Sequence, residues 1–355
     1  RRIRTRSYRD GRLRVIRNRP LLRFTVLNFQ KSDVYFMEHK HFSRAKSKKR
    51  HRGLKIILFL FVMTAGIIGV YMVSVYSHVS NATNKMYTSL ENVDNLREGM
   101  VSLGNKEAIS ILLLGVDSGD LGRTEQGRSD TMILATINPN TKKTVLMSIP
   151  RDTYAEIIGN GSWDKLNHAY AYGGTSMSVN SVQNLFDVPI DYYVTVNMAG
   201  IQEIVDAVGG IDIISPLTFE YEGYQFYEGE SVHLDGKTAL AFARMRYDDP
   251  DGDFGRQLRQ RLVIEGIISK AVDPANLLNY REILNSLSSN IQTNFQMDDF
   301  FELQGNSYSD ALRNIQAESF EGEGNIADDG VWYYYIYEEE LNRIQTMLHE
   351  ELEIN

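Results

Sequence analysis

The sequence contains no cysteine. Disulfide bonds, thiolate catalysis and cysteine-ligated zinc are therefore excluded. The sequence also has no internal repeat and no long low-complexity segment. A chain of 355 residues is nevertheless long enough to bury one large core or two ordinary ones. An exported domain without disulfide bonds depends on its core for stability. Such a domain is more typical of the outer face of a bacterium than of a small secreted animal protein.

Positive charge is concentrated before residue 54. Residues 1–53 contain 18 lysines and arginines against three acidic residues, although the net charge of the whole chain is −8. Residues 56–75 carry no charge, and a helix of that length spans the roughly 30 Å hydrocarbon core of a bilayer. Because the basic residues precede this segment, the positive-inside rule predicts a single-pass anchor with a cytoplasmic N-terminus. A cleaved signal peptide is disfavoured, since no A-x-A-like cleavage site is evident.

These features divide the chain into five predicted segments. They are a basic cytoplasmic head (1–53), a transmembrane helix (54–76), a polar stalk (77–106), the main folded domain (107–272) and a C-terminal α/β extension packed on the same domain (273–355). Residues 1–36 have two interpretations, translation from upstream of Met37 or a disordered basic tail near anionic lipid. Their arginines alone are too unspecific to indicate DNA binding.

Strands alternate with helices in the segment that follows the predicted anchor. Apolar runs ended by polar or turn residues predict strands at residues 108–116, 132–138, 143–149, 190–196, 211–214 and 331–336. Helical spacing of apolar residues predicts helices at residues 175–186, 198–208, 237–243, 257–272, 275–288 and 337–351. This alternation indicates an α/β fold with a layered sheet, whose topology stays open.

Charged residues stand where the predicted strands end. Asp117 follows the first strand, and Arg151 and Asp152 follow the third. Arg244 and Arg246 are two residues apart, so they share one face of an extended segment. A predicted helical face after Asp253 adds Arg256, Arg259 and Gln260. Arginine binds phosphate oxygens through its planar fork, and Mg²⁺ takes one or two carboxylates together with phosphate oxygens and water. The pattern therefore predicts a polyanion site with a divalent metal at the strand ends.

Each of these features also has a purely structural interpretation. The alternatives are turn caps (Asp117, Asp130), surface ion pairs (Arg244, Arg246), a solvated helix face (Arg256, Arg259, Arg261), a packing or hydrogen-bonding histidine rather than a base (His168), and aromatic residues of a core or an interface rather than a sugar-binding surface (Trp163, Tyr333, Tyr334, Tyr335). Spacing alone therefore leaves the phosphate site a hypothesis.

Seven sequence blocks, in order, resemble the LytR-CpsA-Psr family. They are ILLLGVDSGD (111–120), RSDTMILATINP (128–139), SIPRDTYAEI (148–157), KLNHAYAYGG (165–174), VDAVGGIDI (205–213), LDGKTALAFARMRYDD (234–249) and GDFGRQLRQR (252–261). Together they cover roughly residues 107–270, and seven blocks in the same order make the resemblance specific. The short basic head and the single predicted anchor are also typical of that family.

The resemblance implies a fold and a reaction. The implied fold is an α/β domain with a mixed central sheet sandwiched between helices and an apolar pocket for a polyprenyl tail. The implied reaction moves an anionic glycopolymer, such as wall teichoic acid or capsule, from a polyprenyl pyrophosphate carrier to a peptidoglycan sugar hydroxyl, forming a phosphodiester. The apolar segments 111–114, 132–134 and 262–268 are expected to line the channel for the lipid. The enzyme is expected at the cell membrane of a Gram-positive-type envelope.

The resemblance also implies roles for individual residues. By motif position, Asp117 and Asp130 would hold Mg²⁺, or Mn²⁺ in its place. The residues implied around the pyrophosphate are Arg128, Arg151, Lys165, Arg244, Arg246, Arg256 and Gln260. The implied catalytic residues are Arg151, Asp152, Arg244, Arg246 and Asp253. One departure from the family pattern is Arg261, which stands where a second glutamine often follows.

Two questions stay open at the level of sequence. The acceptor hydroxyl must lose a proton, and either Asp152 or Asp253 is a candidate base. The alternative functions are a hydrolase that releases the polymer to water and a non-catalytic membrane-bound regulator of cell-envelope genes, which binds wall precursors without turnover or acts on transcription through its basic head. The predicted partners are the lipid-linked glycopolymer, peptidoglycan and the membrane. No nucleic acid is expected, and the sequence indicates no oligomeric state.

Overall fold

The computed structural model describes residues 101–117, 127–273 and 290–354 except residue 304, together with residues 85–94 and scattered positions from 59 to 99. The described elements belong to one compact unit, Phe61–Asn355. The predicted basic head, most of the predicted anchor and the helix predicted at residues 275–288 lie outside the described residues. Within the described part of the chain, no helix has both the length and the apolar character needed to cross a bilayer.

A six-stranded sheet lies at the centre of this unit. Its strands are β1 (Ile109–Val116), β2 (Ser129–Asn138), β3 (Lys143–Ser148), β6 (Tyr192–Asn197), β11 (Ile291–Thr293) and β12 (Ile315–Glu318). Their order is β11-β6-β1-β2-β3-β12. The sheet is mixed, because β1 pairs antiparallel with β2 but parallel with β6, and β12 pairs parallel with β3. The three central strands are buried along nearly their whole length, which explains their continuous apolar sequences.

Helices cover both faces of the sheet. The described helices longer than one 3₁₀ turn are α1 (His168–Phe186), α2 (Met198–Ala207), α3 (Gly236–Arg244), α4 (Asp253–Ala271), α5 (Met297–Leu303), α6 (Asn306–Leu312) and α7 (Glu338–Leu352). On one face, Leu112 and Leu134 pack in a core with residues of α1 and α7. On the other face, Ile111 and Ile133 pack in a separate core that partly buried residues of α4 adjoin. Successive strand residues alternate between these cores, and the predicted mixed sheet between helices is confirmed.

Four short antiparallel pairs complete the unit. They are β4 (Tyr154–Ile157) with β5 (Ser162–Lys165), β7 (Ile211–Ile214) with β10 (Ser231–Leu234), β8 (Phe219–Tyr221) with β9 (Tyr224–Phe226), and β13 (Gly322–Ile326) with β14 (Trp332–Ile336). Strand β14 also reaches the loop after β3, because Tyr334 N donates to Asp152 O at 2.9 Å. Thr153 pairs with Tyr334 in a parallel bridge beside this hydrogen bond. The C-terminal hairpin thereby supports the loop that carries Asp152.

The segment expected to form a polar stalk, residues 77–106, contributes to the folded unit where it is described. Met86 and Leu103 are buried. Arg97 Nε lies 2.8 Å from Asp191 Oδ1, and Arg97 also donates to the carbonyl oxygen of Ala108. Tyr87 forms a parallel bridge with Thr293. These contacts tie the described part of the segment to the central sheet.

Candidate active site at the edge of the central sheet

Three strand ends position the candidate residues. Asp117 directly follows β1, Asp130 is the second residue of β2, and Arg151 and Asp152 follow β3 after Pro150. Since β2 runs antiparallel to both of its neighbours, the end of β1, the start of β2 and the end of β3 lie at one edge of the sheet. Asp117 N donates to the carbonyl oxygen of Arg128 at 3.1 Å, which closes this edge between β1 and β2.

Arg151 is the centre of a charged cluster at this edge. Its Nη1 donates to Asp130 Oδ1 at 2.7 Å, its Nε lies 3.6 Å from Asp152 Oδ2, and its Nη2 lies 3.8 Å from Asp253 Oδ1. Burial alone would lower the pKa of Arg151, but the negative charges of Asp130, Asp253 and Asp152 together raise it above its ordinary value. Arg151 is therefore a fixed positive charge held by three carboxylates.

Asp253 brings the first turn of α4 into the same cluster. Its Oδ1 lies 2.6 Å from Arg256 Nη2 and 3.7 Å from Arg246 Nε. Burial lowers the pKa of Arg256, and the nearby charges of Arg151 and Arg246 lower it further, against the opposing effect of Asp253. The ion pairs of Asp253 with Arg246 and with Arg151 therefore connect α4 to the loop after α3 and to the loop after β3.

Several buried polar atoms of the cluster lack a hydrogen-bond partner among the described residues. They are Arg151 Nε, Asp253 Oδ1, Arg256 Nε and Nη2, and Gln260 Oε1. Arg256 and Asp253 are close enough for an ion pair but are not aligned for a hydrogen bond. Buried donors without partners are rare in native proteins, and a group of them is typical of a site that a ligand completes.

An apolar cavity of about 280 Å³ lies between the sheet and the helices and reaches this cluster. Its lining includes one charged side chain, Arg244, and one amide side chain, Gln260. Most other lining residues are apolar and come from the sheet, α2, α3 and α4, including Ile111, Leu113, Ala135, Ile137, Val194, Ile201, Ile204, Leu240, Val263, Ile264, Ile267 and Ile268. The cavity thus has an apolar body and a polar end formed by side chains of the implied pyrophosphate site.

The expected channel lining is right for two segments and wrong for one. Residues from 111–114 and 262–268 line the cavity, whereas none from 132–134 does. Met132 and Leu134 point to the opposite face of the sheet and pack against α1 and α7. On β2 the lining residues are Thr131, Ala135 and Ile137 instead.

Arg259 does not belong to a solvated helix face, because only 1% of it is exposed. It donates to the carbonyl oxygens of Phe242 and Met245, and it forms an ion pair with Asp249. Its guanidinium also lies 5.2 Å from the centre of the Phe219 ring. Arg259 therefore supports the segment that carries Arg244 and Arg246, a role that helical spacing could not distinguish from phosphate binding.

The β4–β5 hairpin extends the cluster on its other side. Lys165 Nζ lies 2.8 Å from Asp152 Oδ1 and 5.9 Å from the centre of the Tyr333 ring. Tyr333 and Tyr334 are buried, as expected of core aromatics. Trp163 departs from that expectation, because 58% of it is exposed. Trp163 lies on β5, which pairs with β4 in a two-stranded hairpin outside the central sheet.

Asp164 and its partners form a polar network beside Lys165. Asp164 Oδ2 lies 2.8 Å from His168 Nδ1 and accepts a hydrogen bond from the Tyr172 hydroxyl at 2.6 Å. Burial would raise the pKa of Asp164, but the hydrogen bonds from Tyr172 and His168 lower it below its ordinary value. His168 is thus a hydrogen-bonding residue, in line with its structural interpretation. Asp164 and Tyr172 were not singled out in the sequence, although the i, i+4 spacing of Asp164 and His168 is a signal for them.

The residues at the sheet edge fit a hard divalent cation. Asp117 and Asp130 provide two carboxylates on neighbouring strand ends. The described residues contain no group of three or more acidic or histidine side chains that could hold a metal ion. Mg²⁺ accepts such a sparse protein contribution, because it usually takes one or two carboxylates and completes its shell with water and substrate phosphates.

Comparisons with known proteins agree with this geometry. A model of the LytR_cpsA_psr family matches residues 73–350, so the match extends beyond residues 107–272 at both ends. The chain is 45% identical over 300 residues to the polyisoprenyl-teichoic acid–peptidoglycan teichoic acid transferase TagU of Enterococcus faecalis, covering 84% of this chain and 95% of that protein. The crystal structure of B. subtilis TagU is 41% identical with a TM-score of 0.57, covering 70% of this chain and 99% of that one. The structure of TagT bound to LIIa-WTA is 27% identical with a TM-score of 0.63, covering 75% of this chain and 100% of that one.

Proposed function

The chain belongs to the LytR-CpsA-Psr family, and we propose that it transfers an anionic glycopolymer from a polyprenyl pyrophosphate carrier to a sugar hydroxyl of peptidoglycan. The names of the TagU relatives support a teichoic acid as the polymer class. The observation that carries the proposal is the apolar cavity that reaches a cluster of arginines through Arg244 and Gln260. A lipid chain and its pyrophosphate head require this combination of surfaces next to each other.

The arginines bind the pyrophosphate and stabilise the charge that develops during transfer. In this reaction the acceptor oxygen forms a bond to the phosphorus that carries the polymer. The bond from that phosphorus to the bridging oxygen breaks, and polyprenyl phosphate leaves. Phosphoryl transfer of this kind depends on positioning and on electrostatic stabilisation more than on covalent help from the protein. Arg151, Arg244, Arg246 and Arg256 provide guanidinium groups for both purposes, and Lys165 adds a point charge.

Asp152 is our candidate for the group that accepts the proton of the acceptor hydroxyl. Asp253 Oδ1 lies within 3.8 Å of Arg151, Arg246 and Arg256, so its role is to hold these three guanidinium groups together. Asp152 contacts Arg151 and Lys165 and lies on the β4–β5 side of the cluster, away from the cavity residues. An acceptor that approaches from that side meets Asp152 first.

We further propose that Asp117 and Asp130 bind Mg²⁺, with Mn²⁺ as a substitute. When bound, the cation neutralises charge on the pyrophosphate oxygens. Asp130 would then exchange part of its contact with Arg151, which is 2.7 Å away, as the arginine turns to the phosphate. The expected location is the cell membrane, with the anchor at residues 56–75 and the folded unit outside the cell, where lipid carrier and peptidoglycan meet.

The reaction can be tested with a purified full-length chain and a radiolabelled lipid-linked glycopolymer donor. A transferase incorporates label into added peptidoglycan, and the phosphodiester product resists release by washing in denaturant. Free polymer phosphate without incorporation would identify a hydrolase. Unchanged donor in the presence of peptidoglycan and Mg²⁺ would identify a binding protein without turnover. Either of the last two results overturns the proposed transfer.

A further inference from the structure

Four aromatic side chains form a cluster beside the charged site. The Tyr154 ring lies at its centre, 5.4 Å from Trp163, 4.9 Å from Tyr333 and 5.2 Å from Tyr335 between ring centroids. Tyr333 is buried below, whereas Trp163 is 58% exposed and Tyr335 is half-buried. We call the exposed part of this cluster, Trp163 and Tyr335 supported by Tyr154, the aromatic platform. The exposed indole of Trp163 lies against the part-buried Tyr154 ring in a tilted arrangement, and the two rings together form an apolar surface.

The aromatic platform is continuous with the charged cluster through Lys165. Trp163 and Lys165 are two residues apart on β5, so their side chains point to the same face of the hairpin. Lys165 Nζ contacts both Asp152 Oδ1 at 2.8 Å and the Tyr333 ring at 5.9 Å. Strand β14, which carries Tyr335, also holds the Asp152 carbonyl through Tyr334 N. The backbone that positions the platform therefore positions Asp152 as well.

The platform and the apolar cavity reach the charged cluster through different residues. The cavity contributes Arg244 and Gln260, and its lining includes neither Trp163, Lys165 nor any residue of β14. Ion pairs lead from Arg246 through Asp253 to Arg151. Arg151 in turn contacts Asp152, and Asp152 contacts Lys165, which lies next to the platform. A two-substrate reaction needs two approaches to the reacting phosphorus, and the cavity provides only one.

We propose that the aromatic platform binds a sugar ring of the acceptor glycan and directs its hydroxyl to Asp152. The proposal rests on the proposed transferase function, since it assigns the second substrate of that reaction. The C–H face of a pyranose packs against an aromatic ring, while its hydroxyls stay free to hydrogen-bond at the edges. Trp163 provides the ring, and Glu156 on the neighbouring strand provides a carboxylate acceptor on the same face of the hairpin.

The charges around the platform favour a glycan over a membrane surface. Glu156 lies opposite Trp163 in the β4–β5 register. Asp329 accepts a hydrogen bond from the Tyr333 hydroxyl at 2.9 Å. An anionic lipid surface would be repelled by these carboxylates, whereas the hydroxyl and amide groups of a glycan can donate to them.

Two tryptophans in the whole chain make a direct binding test feasible. The Trp332→Phe variant of the full-length chain in detergent micelles leaves Trp163 as the single indole fluorophore. We expect titration with a tetrasaccharide of alternating N-acetylglucosamine and N-acetylmuramic acid, whose lactyl carboxyls are capped as amides, to change its emission saturably. The reciprocal Trp163→Phe variant retains Trp332, which is 42% exposed but lies on the opposite face of β14 from Tyr335, and its emission should not change. No response of Trp163 at saturating tetrasaccharide would overturn the proposal.

Transfer kinetics provide the second test. At saturating donor, Trp163→Ala should raise the KM for the glycan acceptor at least tenfold, while donor affinity stays within twofold of the unsubstituted chain. Trp163→Phe should recover most of the acceptor affinity because it retains a ring, and Trp332→Ala should behave like the unsubstituted chain. An unchanged acceptor KM in Trp163→Ala contradicts the platform assignment. The assignment is also contradicted if Trp163 emission changes when phosphatidylglycerol is added to the micelles but not when glycan is added, because that result would indicate a lipid-binding surface. Absence of transfer in the unsubstituted chain would instead contradict the proposed function, and the fluorescence titration would still test the platform.

Discussion

Arg151, which we propose binds phosphate, is held in place by carboxylates of the protein itself. Three carboxylates surround its guanidinium, at 2.7, 3.6 and 3.8 Å from Asp130, Asp152 and Asp253. Together they keep a partly buried positive charge in place and raise its pKa. The arrangement is suited to exchange, because a pyrophosphate oxygen can replace a carboxylate oxygen in each contact without a change of charge at the arginine.

Substitutions of Arg151 should distinguish the contribution of its positive charge from that of its planar guanidinium group. Arg151→Ala is expected to weaken donor binding and turnover by roughly ten- to a hundredfold, since a hydrogen bond to a charged group contributes roughly 1.5–3 kcal/mol. Arg151→Lys keeps the charge but loses the planar fork, so turnover should fall more than donor affinity. Donor affinity, turnover and melting temperature are measured together, with Arg343→Ala as a control distant from the cluster. Normal donor binding combined with a lower melting temperature would show a structural role instead.

Loss of either proposed metal ligand should weaken Mg²⁺ binding. Asp117→Ala and Asp130→Ala each remove one carboxylate from a site with two, and a methyl group cannot replace it. Titration calorimetry with Mg²⁺ and donor present should show a lower metal affinity for both variants, with the circular dichroism spectrum retained. Glu339→Ala, an acidic residue of the first turn of α7, is the control. Mg²⁺ affinity equal to that of the unsubstituted chain in both aspartate variants would remove these residues from the metal site.

The strand-end positions of some candidate residues are visible in the sequence, whereas the structural role of Arg259 is not. Asp117, Arg151 and Asp152 follow apolar runs, so their position at strand ends is visible in one dimension. Arg259 has the same helical spacing as Arg256 and Gln260, yet it turns to the carbonyl oxygens of Phe242 and Met245. That difference depends on where α3 packs against α4, which no local pattern contains.

Arg259 should be essential for stability because its charge is buried with that of Asp249. Arg259→Met leaves Asp249 without its partner, and breaking one side of a buried pair costs about 3–5 kcal/mol in the free energy of unfolding. The double variant Arg259→Met with Asp249→Leu should recover part of this loss. Arg343→Met, which removes an exposed ion pair with Glu340, should cost at most about 1 kcal/mol. Chemical denaturation measures all three, and equal losses for Arg259→Met and Arg343→Met would contradict the buried role.

At the scale of elements, helix α1 differs most from its predicted bounds. The sequence predicts a helix from residue 175, whereas α1 begins at His168 and passes through Gly173 and Gly174 with non-helical backbone angles. The two glycines end the apolar periodicity from which the prediction was made, but Ala169 and Tyr170 before them are buried and extend the element toward β5. The low helix propensity of the two glycines predicts that the helix starts after them, whereas burial of Ala169 and Tyr170 extends the element to the residues before them.

Gly174 should tolerate no side chain, since its φ of 66° and ψ of −152° lie in a region that is essentially restricted to glycine. Gly174→Ala is expected to lower the free energy of unfolding by about 1–3 kcal/mol. Gly104→Ala is the matched control, because its backbone needs no positive φ and its new methyl group would meet only Ser102 Oγ at 3.9 Å. That control should be neutral or slightly stabilising. Thermal and urea unfolding of both variants measure the difference, and a neutral Gly174→Ala would be inconsistent with the kink.

The short hairpins could not be predicted from the sequence as well as the three central strands. Strands β4, β5, β8, β9 and β13 contain three to five residues each and lack a long alternating pattern. Hairpins of this length are stable only where they pack on a larger structure. The β4–β5 pair gains that support from Tyr154, whose ring contacts both Tyr333 and Tyr335. The three central strands were predictable because burial on both faces leaves a continuous apolar run in the sequence.

At the scale of the whole molecule, the charge asymmetry along the chain predicts its orientation in a membrane. The basic segment before residue 54 should stay in the cytoplasm, and residues 77–355 should lie outside. Protease added to intact protoplasts should therefore remove the folded unit, whereas a tag placed before residue 54 should be cut only after lysis. Protection of residues 77–355 in intact protoplasts would show the opposite orientation.

The link between β14 and the loop after β3 has a consequence for the order in which the site is completed during synthesis. Every charged residue of the cluster precedes residue 261, so a nascent chain that has emerged to the end of α4 carries the full set of arginines and aspartates. It still lacks the strand whose Tyr334 N holds the carbonyl oxygen of Asp152. Until residues 332–336 have been made, the loop between Arg151 and Lys165 therefore lacks this hydrogen bond. An incomplete chain can carry every charged side chain of the cluster without the backbone support that positions Asp152.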